Sequence, residues 1–409
     1  MLNVNKIKRD FPIFSHHKDL VYLDSTASSL KPKAVIAKLV EYYERYSSNI
    51  FRGLYPLSQQ ATDEYEKTRQ LVAEFINAKS PVEIIFTRNT TESLNLIMYT
   101  LGEKIIEKGD QIAITIAEHH SDFVPWQQLA IKKQAELLVI GLNEEATLDL
   151  KELEEKLSTK TKILAITHIS NVLGTINPVS DIVRIARRIN PNVIIVLDAA
   201  QSIPHLSVDV RELGVDFIAF SGHKMLGPTG VGVLWGKKEY LEQMPPFLFG
   251  GEMIDEVTIA KTTFAHLPHK FEAGTPAIGE VIALQEAIKY LQKIGLTNIA
   301  AHENELVTYA LLRLKEEFPK SITVLGPKSP KHKTGILSFK FNNYHPHDIG
   351  EILGSLNICV RVGHHCAAPL HKKQGLIAST RASFYLYNDK NDVEKLILGL
   401  HEVEKILKR

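Results

Sequence analysis

Cysteine is scarce in this chain: Cys359 and Cys366 are the only two in 409 residues. Two thiols cannot build a disulfide framework, and a cytoplasmic location is the simple expectation. Charge bias is missing too. Lysine and arginine number 48 against 47 acidic residues, a net charge of +1. Such a balance gives no reason to expect a nucleic acid or an anionic membrane as partner. No stretch of 18 apolar residues occurs, so no transmembrane helix is expected. Met1 to Asp10 is polar and charged, without the apolar stretch of a signal peptide. Repeats and low-complexity tracts are lacking. What is present is an ordinary globular composition, 44% apolar and 23% charged, with material for a large core.

Between residues 80 and 240, short apolar runs alternate with helical patterns. The runs are Glu83–Thr87, Gln111–Ala117, Glu136–Leu142, Lys162–Ile169, Val193–Asp198, Asp216–Ser221 and Gly230–Gly236. Several are continuous in Val and Ile, which fits strands buried on both faces of a largely parallel sheet. The alternation predicts an α/β domain. Near residue 280 the texture changes. Glu280–Lys293 and Asn298–Phe318 read as helices. Strands are expected at Ile322–Leu325, Gly335–Phe341, Ile358–Val362 and Ala382–Tyr387, with helices at His347–Ser355 and Asp392–Leu407. This is a smaller α+β unit. The first ~20 residues, with Lys33–Tyr46 as a helix, are expected to fold back onto it.

Several short constellations carry candidate chemistry. Lys224 follows a strand in Ser221-Gly222-His223-Lys224, before the loop Gly227-Pro228-Thr229-Gly230. Ligands of open α/β sheets sit beyond strand carboxyl ends, and a lysine there can form a Schiff base with a carbonyl cofactor. A surface lysine is the ordinary alternative. Asp198 closes a very apolar strand, where a carboxylate needs a partner. A pyridinium nitrogen would serve, and a helix cap is the alternative. Asn89-Thr90-Thr91-Glu92 opens a helical pattern with a capping-box-like pair, and its N–H groups and hydroxyls could hold a phosphate. His119, in Glu118-His119-His120, could stack on a planar ring or be a polar loop residue. Asn171 could bond a cofactor hydroxyl or make a turn. Cys366 lies beyond a strand in Arg361-Val362-Gly363-His364-His365-Cys366, where nearby positive charge would activate its thiolate. It could also be buried and inert, or bind metal with His364, His365 and His371. Cys359 reads as strand core. Arg381 offers a fork for an amino-acid carboxylate, with a surface arginine as the alternative.

Together and in this order these features resemble the pyridoxal-phosphate (PLP)-dependent aminotransferase class V family. More narrowly, they resemble the group II, SufS-like cysteine desulfurases of iron–sulfur cluster assembly. Matching segments run from Leu23-Asp24-Ser25-Thr26-Ala27 through Glu272-Ala273-Gly274-Thr275-Pro276 to Arg381-Ala382-Ser383. The resemblance implies PLP fold-type I: a large, mostly parallel seven-stranded sheet domain and a smaller C-terminal α+β domain. The expected divisions are 1–30, a segment packing on the small domain, then 31–280 and 281–409. Lys224 would hold the cofactor, Asp198 would face its ring nitrogen, Gln201 its phenolic oxygen, and His119 would stack on the ring. Thr90, Thr91, Ser221 and His223 would hold the phosphate, with Thr275 from the other subunit of a homodimer. Asn171, Arg361 and Arg381 would bind L-cysteine. Cys366 would receive its sulfur as a persulfide, releasing L-alanine, and no metal is required.

The sequence departs from the group II pattern in three places. Tyr55 stands where histidine is usual after Arg-Gly-x, His119-His120-Ser121-Asp122 replaces His-His-Ala-Asn, and Ala199 replaces glycine. The first two are expected at the site mouth. The acceptor would be a carrier protein of SufU or SufE type. Tyr344-His345-Pro346-His347-Asp348 resembles a segment that, in desulfurases serving a zinc-containing carrier, takes over a zinc ligand position through the residue matching His347; polar residues at a helix start, with Pro346 at its first position, are the alternative. The rival readings are a selenocysteine lyase, another class V activity, or a His/Cys metal or iron–sulfur scaffold.

Overall fold

The computed structural model describes residues 2–408. The seven apolar runs fold as strands β1 (Ile84–Thr87), β2 (Gln111–Thr115), β3 (Glu136–Ile140), β4 (Thr161–Thr167), β5 (Ile194–Asp198), β6 (Phe217–Ser221) and β7 (Gly232–Gly236). They form one sheet in the order β1-β7-β6-β5-β4-β2-β3. Neighbours from β6 to β3 run parallel. Only β7 is reversed, between β1 and β6. The reason for continuous rather than alternating apolar runs is visible in β4. Leu164 and Ile166 enter the core on one face of the sheet, Ile163 and Ala165 the core on the other. Both faces are covered by helices, so neither can be polar. Helices α1 (Lys33–Arg45) and α2 (Pro56–Phe75) lie on the first face, and α3 (Thr90–Ile97) and α4 (His120–Lys133) on the second. Helix α5 (Ile278–Ile294) joins α1 and α2.

The smaller unit is a four-stranded antiparallel sheet. Its strands are β8 (Ile322–Val324), β9 (Ile336–Phe341), β10 (Arg361–Gly363) and β11 (Ser379–Ser383), in the order β8-β9-β11-β10. Helices α6 (Leu296–Glu317), α7 (Pro346–Ser355) and α8 (Lys390–Leu407) supply its core with Leu306, Leu353 and Leu400. The fold is thus α/β, with a large mostly parallel seven-stranded sheet and a smaller C-terminal unit.

Three local expectations need correction. Helix α1 packs on α5 and the large-sheet core through Val35 and Tyr42, because those apolar residues find their partners there and not on the small unit. The chain before it divides its contacts: Ile7 and Phe11 join the large core, Val21 and Leu23 the small one. Ile358–Val362 is not one strand. Ile358–Cys359 pairs in parallel with Val21–Tyr22, whereas β10 pairs with β11. The last strand ends at Ser383, so Phe384–Tyr387 leave the sheet and Arg381 is mid-strand, not at its start. Ser379, Thr380, Arg381 and Ser383 are all buried. A buried polar strand gives no apolar pattern to read. Among the described residues no helix is long and apolar enough to cross a membrane.

Candidate active site

The carboxyl ends of the parallel strands converge on a cavity of about 300 Å³. Thr90, Thr91, His119, Asn171, Asp198, Gln201, Ser221, His223, Lys224, Arg361, Cys366 and Arg381 line it. Thr275 does not. It is exposed, on an adjoining cavity shared with Asn89 and His223.

One end of the cavity is built to hold an anion. Asn89 caps α3 by accepting the Glu92 N–H at 2.9 Å. The Thr90 N–H donates to Ser221 Oγ at 2.9 Å, and the two hydroxyls lie 2.6 Å apart. Thr91 Oγ1 is 2.7 Å from Ser121 Oγ. Hydroxyls around a helix N-terminus suit a phosphate. The capping box is only half formed, because the Glu92 carboxylate turns back to the Arg88 N–H and side chain.

The centre holds the titratable groups. Burial pushes the Lys224 ammonium down, while nearby Asp198 pulls it partly back. Burial raises the Asp198 carboxyl, and one of its oxygens accepts the Ala200 N–H at 2.9 Å. Burial, with the Lys224 charge close by, holds the His119 imidazole at about 3, so its ring is neutral. The Ser121 N–H donates to His119 Nδ1 at 3.1 Å, which places the ring proton on Nε2. Gln201 donates to the Thr26 carbonyl at 2.8 Å, and its Oε1 is buried without a partner.

The far wall is a loop carrying Cys366. His365 and Cys366 are both left-handed, with φ of 50° and 56°. Such non-glycine conformations need support. It comes from the large domain. The His120 N–H donates to the Cys366 carbonyl at 2.7 Å, and Asn171 Nδ2 to the His365 carbonyl at 2.7 Å. The Ala368 N–H meets His120 Nε2 at 3.0 Å. The Cys366 side chain stays exposed. Buried Arg381 donates to the Asn171 carbonyl at 2.9 Å and faces Asp24 at 3.3 Å, while its Nε has no partner. Exposed Arg361 meets the same Asp24 at 3.4 Å. His365 and His371 turn inward to Ser379 Oγ at 3.1 and 2.9 Å. Among the described residues no three His, Cys, Asp or Glu side chains are grouped to hold a metal.

The family model for aminotransferase class V matches residues 21–396. The chain belongs to that family. It is 49% identical over 407 residues to a probable cysteine desulfurase of Halalkalibacterium halodurans, covering 99% of this chain and 98% of that one. It is 46% identical over 412 residues to one of Streptomyces coelicolor, covering 98% and 97%. The solved cysteine desulfurase from Thermococcus onnurineus NA1 superposes with a TM-score of 0.94 at 41% identity, covering 99% of this chain and 98% of that one. The cofactor of this class-V protein is PLP. The cavity fits it: an amine, a buried carboxyl, a hydroxyl-rich helix N-terminus, and unpartnered Gln201 Oε1 and Arg381 Nε.

Of the departures expected at the site mouth, Ser121 lines the cavity, whereas neither Tyr55 nor Asp122 does. Tyr55 precedes α2 on the surface, and Asp122 is buried in the first turn of α4, held by Trp126 Nε1 at 2.8 Å. Helical phase explains Asp122: three positions beyond the capping His119, its side chain turns under the helix. Cys359 is half-buried, not core, because its strand is only two residues long. Asp24, His120 and Ser121 were not singled out by sequence for any role. Asp24 sat in a matching segment, but only the fold shows that it faces both arginines.

Proposed function

We propose that this class-V protein is a cysteine desulfurase of the SufS-like group, converting L-cysteine to L-alanine and carrying the sulfur as a persulfide on Cys366. The observation that carries the reading is an exposed thiol at the rim of the cavity that Lys224 and Arg381 share. The names of the 49% and 46% identical relatives support it.

Lys224 is assigned to hold the cofactor and Asp198 to face its ring nitrogen. Gln201 would take the phenolic oxygen, and His119 would stack on the ring. Thr90, Thr91, Ser221 and His223 would hold the phosphate, with Thr275 reaching it from the other subunit of a homodimer. Arg381 binds the substrate carboxylate, with Asn171 and Arg361 beside it. Bound PLP supplies the electron sink. The Lys224 amine, low in proton affinity because it is buried, moves the proton at the substrate Cα. Cys366 attacks the substrate sulfur as thiolate. The C–S bond breaks, an S–S bond forms, and the carbon keeps the electron pair and gains a proton, leaving as L-alanine.

The sulfur would pass to a carrier in iron–sulfur cluster assembly. Exposed His345 and His347 open α7 with their rings 4.9 Å apart. Imidazoles so presented favour a zinc-containing carrier of SufU type over a SufE type. The test of the activity is incubation with L-cysteine and a thiol, measuring alanine and sulfide together. Equal amounts are expected, and pyruvate or sulfide without alanine would refute the reading.

A further inference from the structure

Behind the cofactor-facing acid lies a second acidic group that the assignments above leave unused. Glu118 follows β2, and Asp122 sits in the first turn of α4; both are fully buried. Glu118 Oε1 accepts the Thr115 hydroxyl at 2.6 Å and the Thr167 N–H at 3.0 Å. Asp122 Oδ1 accepts Trp126 Nε1 at 2.8 Å. The remaining oxygens, Glu118 Oε2 and Asp122 Oδ2, are buried with no other donor. Across the start of α4 the two buried carboxyls bear directly on each other's proton affinity. Thr167 ends β4 directly beside Asp198 in the sheet register. The groups bonded to the pair, Thr115, Thr167 and Trp126, are neutral. The charge of Asp198 raises both carboxyls, and Lys224 in turn lowers Asp198.

Two neighbouring carboxylates, fully buried and with no cation bonded to either, cannot both stay ionised. A proton between them satisfies both free oxygens at once. We propose that Asp122 is a neutral acid donating its proton to the Glu118 carboxylate, and that the pair's single negative charge behind Asp198 is a positioning element that raises the proton affinity of the cofactor's ring nitrogen. Burial pushes both carboxyls upward; the Glu118 charge raises Asp122 further, whereas Asp122 lowers Glu118, the split expected when Asp122 is the one that holds the proton. The asymmetry of the contacts names the donor. Glu118 already accepts two hydrogen bonds on Oε1, which favour its charged form, and Asp122 accepts one. The inference rests on the assignment of Asp198 to the ring nitrogen for its consequence, but not for its protonation claim.

Infrared difference spectroscopy tests that claim on the full-length protein, with and without cofactor. Wild type minus Asp122→Asn is expected to show loss of one protonated-carboxyl stretch at neutral pH. Loss of an ionised carboxylate stretch instead would overturn the proposal. The charge role is tested separately. Asp122→Asn keeps one negative charge on Glu118, whereas Glu118→Gln combined with Asp122→Asn removes it. The ring nitrogen of the bound cofactor, followed by nitrogen NMR of isotopically labelled PLP, is therefore expected to titrate in Asp122→Asn as in wild type. In the double variant the midpoint falls by about one pH unit, the size of a Coulomb interaction across about 12 Å at an effective dielectric constant of about 20. Equal titration of all three proteins would overturn the charge role. Absence of any cofactor band would instead refute the cofactor assignments and leave the infrared result standing.

Discussion

The roles proposed for Cys366 and Arg381 make separable demands on one substrate. The thiol is needed only when sulfur leaves carbon. Cys366→Ser is expected to bind PLP and L-cysteine but to lose alanine formation by about a hundredfold or more, with no persulfide. Cys359→Ser, on its two-residue strand, is expected to keep the rate. Steady-state alanine assays with mass measurement check both, and an active Cys366→Ser would mean that sulfur leaves by simple elimination. The role proposed for Arg381 comes earlier, on the carboxylate. It is 2% exposed with its Nε free. Arg381→Ala is expected to cost about 2–5 kcal/mol in kcat/KM, mostly through KM, as for removal of a buried charge partner. An equal loss with a substrate lacking the carboxylate would contradict this role.

At the scale of elements, the site depends on how closely the turn that opens α3, the proposed phosphate cradle, approaches the reversed strand β7. A Cβ on Gly232 would lie 2.5 Å from the Asn89 Cα, a backbone atom that cannot swing away. Gly232→Ala is therefore expected to displace the start of α3. The expected cost is about 1–3 kcal/mol of stability, with weaker PLP retention. Denaturation and cofactor titration measure the two, and unchanged retention would show that the turn tolerates the shift. The same elements show what a sequence reveals. Every strand of the large sheet was legible, because burial on both faces writes a continuous apolar run, and the strand-end residues Lys224, Asp198 and His119 came with them. Strand order, and the reversal of β7, rest on pairings distant in sequence and left no local mark. β11 was misplaced because its buried residues are polar. Asp122 was misplaced because its helical phase, not its neighbours in sequence, turns it inward. The contacts of Asp24 with Arg361 and Arg381, and of His120 with the Cys366 loop, join residues distant in sequence, which no short motif encodes.

For the whole molecule, Thr275 outside its own chain's cavity makes subunit association part of the account. Sedimentation is expected to show a dimer, and Thr275→Ala to weaken PLP binding by about tenfold, as for loss of a hydrogen bond to a charged group. A monomer with full PLP retention would contradict it. Acid stability is a second global property. Burial lowers His168 from 6.5 to about 4. Its folded value is depressed, so the unfolded chain binds the proton first. The stability it contributes is present above about 6.5 and is lost as pH falls to about 4. Melting temperatures of wild type should thus fall more steeply than those of His168→Asn across that window, and parallel curves would count against its burial as a neutral ring. The central claim, that a substrate sulfur atom comes to rest on Cys366, has one direct measurement. The PLP-loaded protein is mixed with isotopically labelled L-cysteine in the absence of thiol, quenched by alkylation, and mapped by mass spectrometry. The account predicts one labelled sulfur on the peptide carrying Cys366 for each alanine released. Alanine released with that peptide unlabelled would contradict it.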